Sequence, residues 1–436
     1  MMPAMSRRQV LAGLAVSCLD LPAFAQPQGG SQDGLRILRA YQNTITLPGS
    51  GATAVWGFDG TAPGTAPGTA PGTALGTALG PALRIKRGEE LRIRLINDLP
   101  EPTALHWHGV RLPNGMDGVP DLTQPPIAPG KSFDYRFRPP DAGTFWYHPA
   151  GNAAAQIGRG LRGALIVEES APVAVDRDVL LVFEDWPLAA ATSLTINGAS
   201  DVPLAVRTNE RLRLRLINAT VARGLVLRID RHAPRVMAID GQPAEPFLAR
   251  DGRVALAPGN RADVFIDMLL DRGERATILL DEAGAQRVIA RFDYGGEPAR
   301  ATPLAEAAPL PPNGLPERLD LRSASRHDVA LDALVALPAP VHERAPVFSI
   351  RRGRVVVLAL GNRTEVTQTV HVHGHHMRLL DRLDDGWKPY WLDTLTIPAR
   401  QTDRVAFLAD NPGKWLIEAQ ALNDKRPRTA AWFAVT

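Results

Sequence analysis

Glu90-Leu-Arg-Ile-Arg-Leu-Ile-Asn97 recurs as Arg211-Leu-Arg-Leu-Arg-Leu-Ile-Asn218, and more loosely as Arg354-Val-Val-Val-Leu-Ala-Leu-Gly-Asn362. The first two alternate strictly, which predicts half-buried strands with apolar side chains inward and arginines outward. A second element travels with them: Ile127-Ala-Pro-Gly-Lys-Ser-Phe, Leu256-Ala-Pro-Gly-Asn-Arg-Ala and Ile397-Pro-Ala-Arg-Gln-Thr-Asp. Three copies of one β unit imply three similar domains. Short strands punctuated by Gly and Pro predict a Greek-key β-sandwich for each. The expected fold is all-β, with domains at 35–170, 171–296 and 346–436 and a Pro- and Ala-rich linker region at 297–345.

Length and composition agree with this reading. A chain of 436 residues suits about three domains, and 45% apolar with 22% charged residues is a soluble globular balance. The net charge is only +3, and arginines are interleaved with acids, so there is no basic stripe for a nucleic acid. Residues 1–25 read as an export segment: Ser6-Arg7-Arg8-Gln9-Val10-Leu11, an apolar run to Leu19, and a small-x-small site at Ala23-Phe24-Ala25. The paired arginines point to the twin-arginine route, which exports folded proteins, over an ordinary secretory signal. The expected location is the periplasm or exterior, and the apolar run is too short for a permanent membrane span. Cys18, the only cysteine, lies in this segment, so a chain cleaved after Ala25 has no disulfide. The TAPG and TALG repeats at 61–80 form a low-complexity insert to which no function is assigned.

Two stretches carry the chemistry. Leu105-His-Trp-His-Gly-Val110 and Thr369-Val-His-Val-His-Gly374 each contain His-x-His-Gly. On a strand, side chains two apart leave the same face about 7 Å from each other, so all four imidazoles of His106, His108, His371 and His373 can reach one pocket. Imidazole suits Cu, Zn, Fe and Ni. A further match links Gly143-Thr-Phe-Trp-Tyr-His148-Pro-Ala150 with Gly413-Lys-Trp-Leu-Ile-Glu418-Ala-Gln420. Aligned on their glycines, His148 falls opposite Glu418 and Ala150 opposite Gln420. The middle domain has no His-x-His, and its His232 is expected at the surface, as are His327 and His342. Trp107, Trp146 and Trp415 are expected in the core or the pocket wall.

The run from His106 through Gly130, followed by GTFWYHP at 143–149 and GLRGALIV at 160–167, resembles the multicopper oxidases over nearly the whole chain after residue 25. The resemblance implies three cupredoxin-like domains and a copper cluster between the first and third. Carried over by position, His106 and His371 match the type 2 copper ligands, and His108, His148 and His373 match type 3 ligands. The three remaining ligand positions hold Ala150, Glu418 and Gln420. At the type 1 positions stand Gln368, Ala419 and Asp424, so the thiolate that a blue copper needs is missing. Asp117 matches an acidic residue that assists proton delivery, and on its residues alone it reads equally as a turn aspartate in Met116-Asp117-Gly118. His375 matches a histidine behind the ligands, and His376 is expected to face solvent. Asp117 and Glu418 are the candidate catalytic residues, with Glu418 in reach of a reduced site that holds one or two coppers. A carboxylate there weakens any preference for copper over iron, manganese or zinc.

Three functions follow. One is a copper-dependent oxidoreductase of altered mechanism, whose reductant approaches the site directly and whose acceptor is O2. The others are a non-catalytic envelope scaffold that docks a protein partner, like the copper-free relative in bacterial cell division, and a copper carrier.

Overall fold

The computed structural model describes residues 34–48, 50–60, 80–150, 153–282 without 188–191, 284–381, and 386–436 without 425. The export segment and nearly all of the TAPG/TALG insert therefore lie outside the described residues. The chain folds as three two-sheet β-sandwiches in sequence order. In the first, Ala52–Asp59, Arg36–Thr46, Leu91–Asn97 and Ser132–Phe137 form one sheet, and Leu83–Lys86, Gly163–Glu168, Gly143–His148 and His106–His108 the other. The second packs a six-stranded sheet on a five-stranded one. The third packs a four-stranded sheet on a six-stranded one, in which Thr429–Val435, Gly413–Ala421, Gln368–Val372 and Thr394–Ile397 lie side by side. Ser325–Ala330, within the expected linker, pairs in parallel with Arg354–Gly361, and Val335–Ala336 pairs with Thr429–Val435.

The repeats of the sequence meet in space. Each first element ends on a buried asparagine, and each asparagine donates to the carbonyl that opens the second element: Asn97 to Ile127 at 2.8 Å, Asn218 to Leu256 at 2.8 Å, Asn362 to Ile397 at 3.0 Å. The side-chain oxygens accept from the backbone N–H of Leu99, Thr220 and Thr364. A buried amide so satisfied contributes stability, whereas a buried amide without partners costs it.

The expected alternation holds in Leu91–Asn97, where buried and half-buried residues alternate. It fails in Glu210–Asn218, which is buried throughout. Its arginines do not face water. Arg211 pairs with Asp267, Arg213 with Asp263 and Glu169, and Arg215 with Asp178 and Asp263. Arg215 also donates to Thr144 of the first sandwich at 2.9 Å. The outer face of this strand is therefore a domain contact, and only guanidinium groups with carboxylate partners are tolerated there.

Apolar burial follows the same geometry. Side chains of the first and third sandwiches merge into one cluster that includes Leu95, Trp107, Tyr135, Val372, Phe407 and Trp415, while the second sandwich has its own core. The second is tied in electrostatically. Its Arg261 makes a two-pronged bond to Asp393 of the third, at 2.8 and 2.6 Å, with both side chains fully buried. Among the described residues, no helix is long and apolar enough to cross a membrane.

Arg261→Met leaves Asp393 as an uncompensated buried charge. The expected cost is on the order of 3–5 kcal/mol, read as a fall in the urea midpoint. Arg261→Met with Asp393→Leu should recover part of that loss.

Candidate metal centre

Strand pairing sets the positions of the histidines. His106 lies directly across from His148, and His371 across from Glu418. The two His-x-His segments face each other where the first and third sandwiches meet, and His106, His108, His148, His371 and His373 are all buried. The glycine after each motif makes this approach possible. Gly109 and Gly374 have φ of +80° and +67°. A Cβ on Gly109 would collide with Arg261 and Asp393, and one on Gly374 with the Trp415 ring.

Each ring is oriented by an acceptor behind it. His106 Nδ1 donates to the Asp117 carbonyl at 2.9 Å, and His371 Nδ1 to the Asp393 carbonyl at 3.0 Å. His148 Nδ1 donates to the Pro149 carbonyl at 2.7 Å. Thr394 spends its one hydroxyl proton on Asp393 Oδ1, so its oxygen accepts from His108 Nε2 at 3.0 Å. These bonds assign the tautomers and leave the opposite nitrogens bare. The bare nitrogens face one another in two pairs: His106 Nε2 and His371 Nε2 at 3.4 Å, His108 Nδ1 and His148 Nε2 at 3.2 Å. Two lone pairs cannot hydrogen-bond, and burying them unpartnered is costly. Each pair would offer two imidazole nitrogens to a metal ion.

The fifth ring is different. His373 Nδ1 donates to Asp117 Oδ2 at 2.9 Å, and its Nε2 lies 3.8 Å from Glu418 Oε2. His373 Nε2, Asp117 Oδ1 and Glu418 Oε1 are buried with no hydrogen-bond partner. Burial disfavours the imidazolium, but Asp117 and Glu418 outweigh it and raise His373 to about 9. Burial also works against the charge on Asp117 and Glu418, yet His373 on one side, and Arg428 beside Glu418, hold both well below the usual carboxylate range. His371, by contrast, is lowered to about 4 by burial, and His108 and His148 are pushed well down. The donor sets His106, His108, His371 and His106, Asp117, His373 each bring three ligand atoms within 4.8 Å of one another. His373 thus stands with Asp117 and Glu418. The residues fit a metal, and the imidazole-rich donor set suits copper.

Three family models described as multicopper oxidase match residues 72–172, 177–275 and 311–435. The chain belongs to the multicopper oxidase family. It is 25% identical over 412 residues to a multicopper oxidase of Mycobacterium tuberculosis, covering 77% of each chain. It is 33% identical over 194 residues to a copper resistance protein A homolog of Pseudomonas syringae pv. tomato, covering 42% of this chain and 30% of that one. A solved multicopper oxidase from Pseudomonas thermotolerans superposes with a TM-score of 0.79 at 29% identity, covering 92% of this chain and 99% of that one. The all-β, three-sandwich architecture is the cupredoxin fold of the multicopper oxidases.

Several expectations need correction. His376 does not face solvent. It is buried, with Nε2 3.1 Å from the Asp240 carbonyl and 3.4 Å from Asp393 Oδ2, because the second sandwich covers that side of the strand. His232 is half-buried against Tyr294, at 2.6 Å from its hydroxyl, and His327 stacks on Phe348. His342 is exposed, and the three tryptophans are buried, as expected. His375 is buried beside Trp415 and Phe433, its Nδ1 3.1 Å from the His373 carbonyl. Of the residues expected at type 1 positions, Gln368 donates to Thr364, Ala419 packs in the core, and Asp424 pairs with Arg426. Reading the sequence missed Asp393, Thr394, Asp240 and Arg261, which hold the rings from behind. One signal was available: Asn260-Arg261 stands where the other two copies of the repeat have Lys131-Ser132 and Gln401-Thr402.

In chelator-treated protein the raised His373 stabilises the fold. That contribution is complete below the unfolded value of 6.5, declines as pH rises, and is lost above about 9. The expected loss is on the order of 3 kcal/mol, measured by urea unfolding between pH 6 and 10. His373→Gln should remove this part of the pH dependence.

Proposed function

We propose that the chain is an exported copper-dependent oxidoreductase that binds copper at the junction of its first and third domains and takes electrons there directly. The observation that carries this reading is the pair of bare nitrogens, His106 Nε2 and His371 Nε2, facing each other at 3.4 Å. His106 and His371 would hold one ion, and His108 with His148 a second. His373 with Glu418 offers a third, incomplete donor set. Copper supplies one-electron exchange between an external reductant and O2.

The protein's own part is orientation and charge. Asp117 contacts His106 and His373 from behind, at 3.2 and 2.9 Å, and orients both rings. Asp117 faces His373 Nδ1 and Glu418 faces its Nε2, so the ring is favoured in its protonated form, and Nε2 would have to give up its proton to hold an ion. Residues 19–436 contain no cysteine, so a thiolate-bound type 1 copper has no ligand and the reductant must reach the junction itself. The N-terminal Arg7-Arg8 segment supports export as a folded protein.

Copper-loaded protein is expected to give a type 2 paramagnetic resonance signal without the intense blue thiolate-to-copper band, and to consume O2 with a phenol or cuprous donor. His106→Ala with His371→Ala should abolish that signal. Full copper stoichiometry in the double variant would place the ion elsewhere. Bound copper without O2 consumption from any donor would leave a binding protein.

A further inference from the structure

Three side chains depart from the family's ligand pattern, and the structure shows what each does instead. Ala150 packs against Val119, Leu416 and Trp432 and offers no donor atom. Glu418 and Gln420 lie two apart on Gly413–Ala421 and so project from the same face of the sheet. The neighbouring strand pairs Ala430 with Glu418 and Thr429 with Ala419, which carries Arg428 alongside Gln420 one step further on. Arg428 Nη1 lies 3.4 Å from Glu418 Oε2, and its Nε donates to Gln420 Oε1 at 3.2 Å. The Arg428 side chain is only 11% exposed.

One guanidinium therefore engages an oxygen of both residues that stand in third-ligand positions. Glu418 Oε2 lies 3.8 Å from His373 Nε2 and would complete a set with it. A guanidinium stays charged at any accessible pH and has no lone pair to offer a metal. It neutralises Glu418, as a metal ion would, and repels a further cation from the same space.

Resting on the copper reading above, we propose that Arg428 is the residue that limits how many ions the junction holds, its guanidinium engaging the Glu418 carboxylate that would complete the set with His373, and the neighbouring Gln420 oxygen. Removing it leaves Glu418 as a buried carboxylate with no arginine partner, which favours capture of a cation. Arg428 acts through Glu418 and Gln420 and is a positioning residue.

The test is copper stoichiometry in the full chain, by elemental analysis and integrated paramagnetic resonance, after saturation with cupric ion and desalting. The parent should hold fewer than three ions, and Arg428→Gln and Arg428→Ala should each hold at least one more than the parent, with a second cupric environment in the spectrum. Three ions in the parent would overturn the proposal without any variant. So would folded variants with the parent's stoichiometry and spectrum, while leaving the copper reading intact. A parent that holds no copper refutes the copper reading, and the proposal with it.

Discussion

Two imidazoles whose Nε2 atoms face each other across 3.4 Å of buried space, each with its Nδ1 proton committed to a carbonyl, are the constraint on which the rest of the protein depends. Left alone, that arrangement is repulsive and poorly solvated, and a chain free to rearrange would rotate one ring. It cannot rotate here. His106 is held by the Asp117 carbonyl, and His371 by the Asp393 carbonyl with Thr394 close by. The pairing persists because hydrogen bonds and packing behind the rings outweigh the local cost, the usual economy of a functional site.

The second sandwich supplies no imidazole to this arrangement, yet it sets its rigidity. Arg261 grips Asp393, and Asp240 accepts from the backbone N–H of Asp393 and Thr394. Asp393 contacts His108, His371 and His376. Burial would raise Asp393, but Arg261 holds it well below the ordinary range, so it stays an acceptor for these N–H groups. Gly259 of the same sandwich comes so close that a Cβ there would lie 2.9 Å from His108 Cε1. The middle unit is thus a clamp on the back of the histidines, and apolar cohesion between the outer two sandwiches closes the front.

Much of this was legible in the residues. The tandem repeats predicted three β units because strand alternation and turn glycines are local signals, and Asn97, Asn218 and Asn362 do one job three times. His106, His108, His371 and His373 were visible because His-x-His on a strand converges by geometry, and His148 because the stretch from Gly143 matches the one from Gly413. What stayed hidden depends on contacts between distant segments. Nothing local to Arg211, Arg213 and Arg215 distinguishes a solvated face from one buried against carboxylates of other strands. His376 reads as an outward residue until the second sandwich is laid over it. Arg428 lies outside every motif, and only strand register brings it to Glu418 and Gln420.

The separation of the facing histidines along the chain, 265 residues, has a consequence for biogenesis. The N-terminal sandwich on its own can offer an ion only His108 with His148 and the unpartnered His106. The pocket is finished when the last sandwich docks and the middle one locks Asp393. A pocket that joins His106 to His371 therefore exists only once the last sandwich has docked on the first.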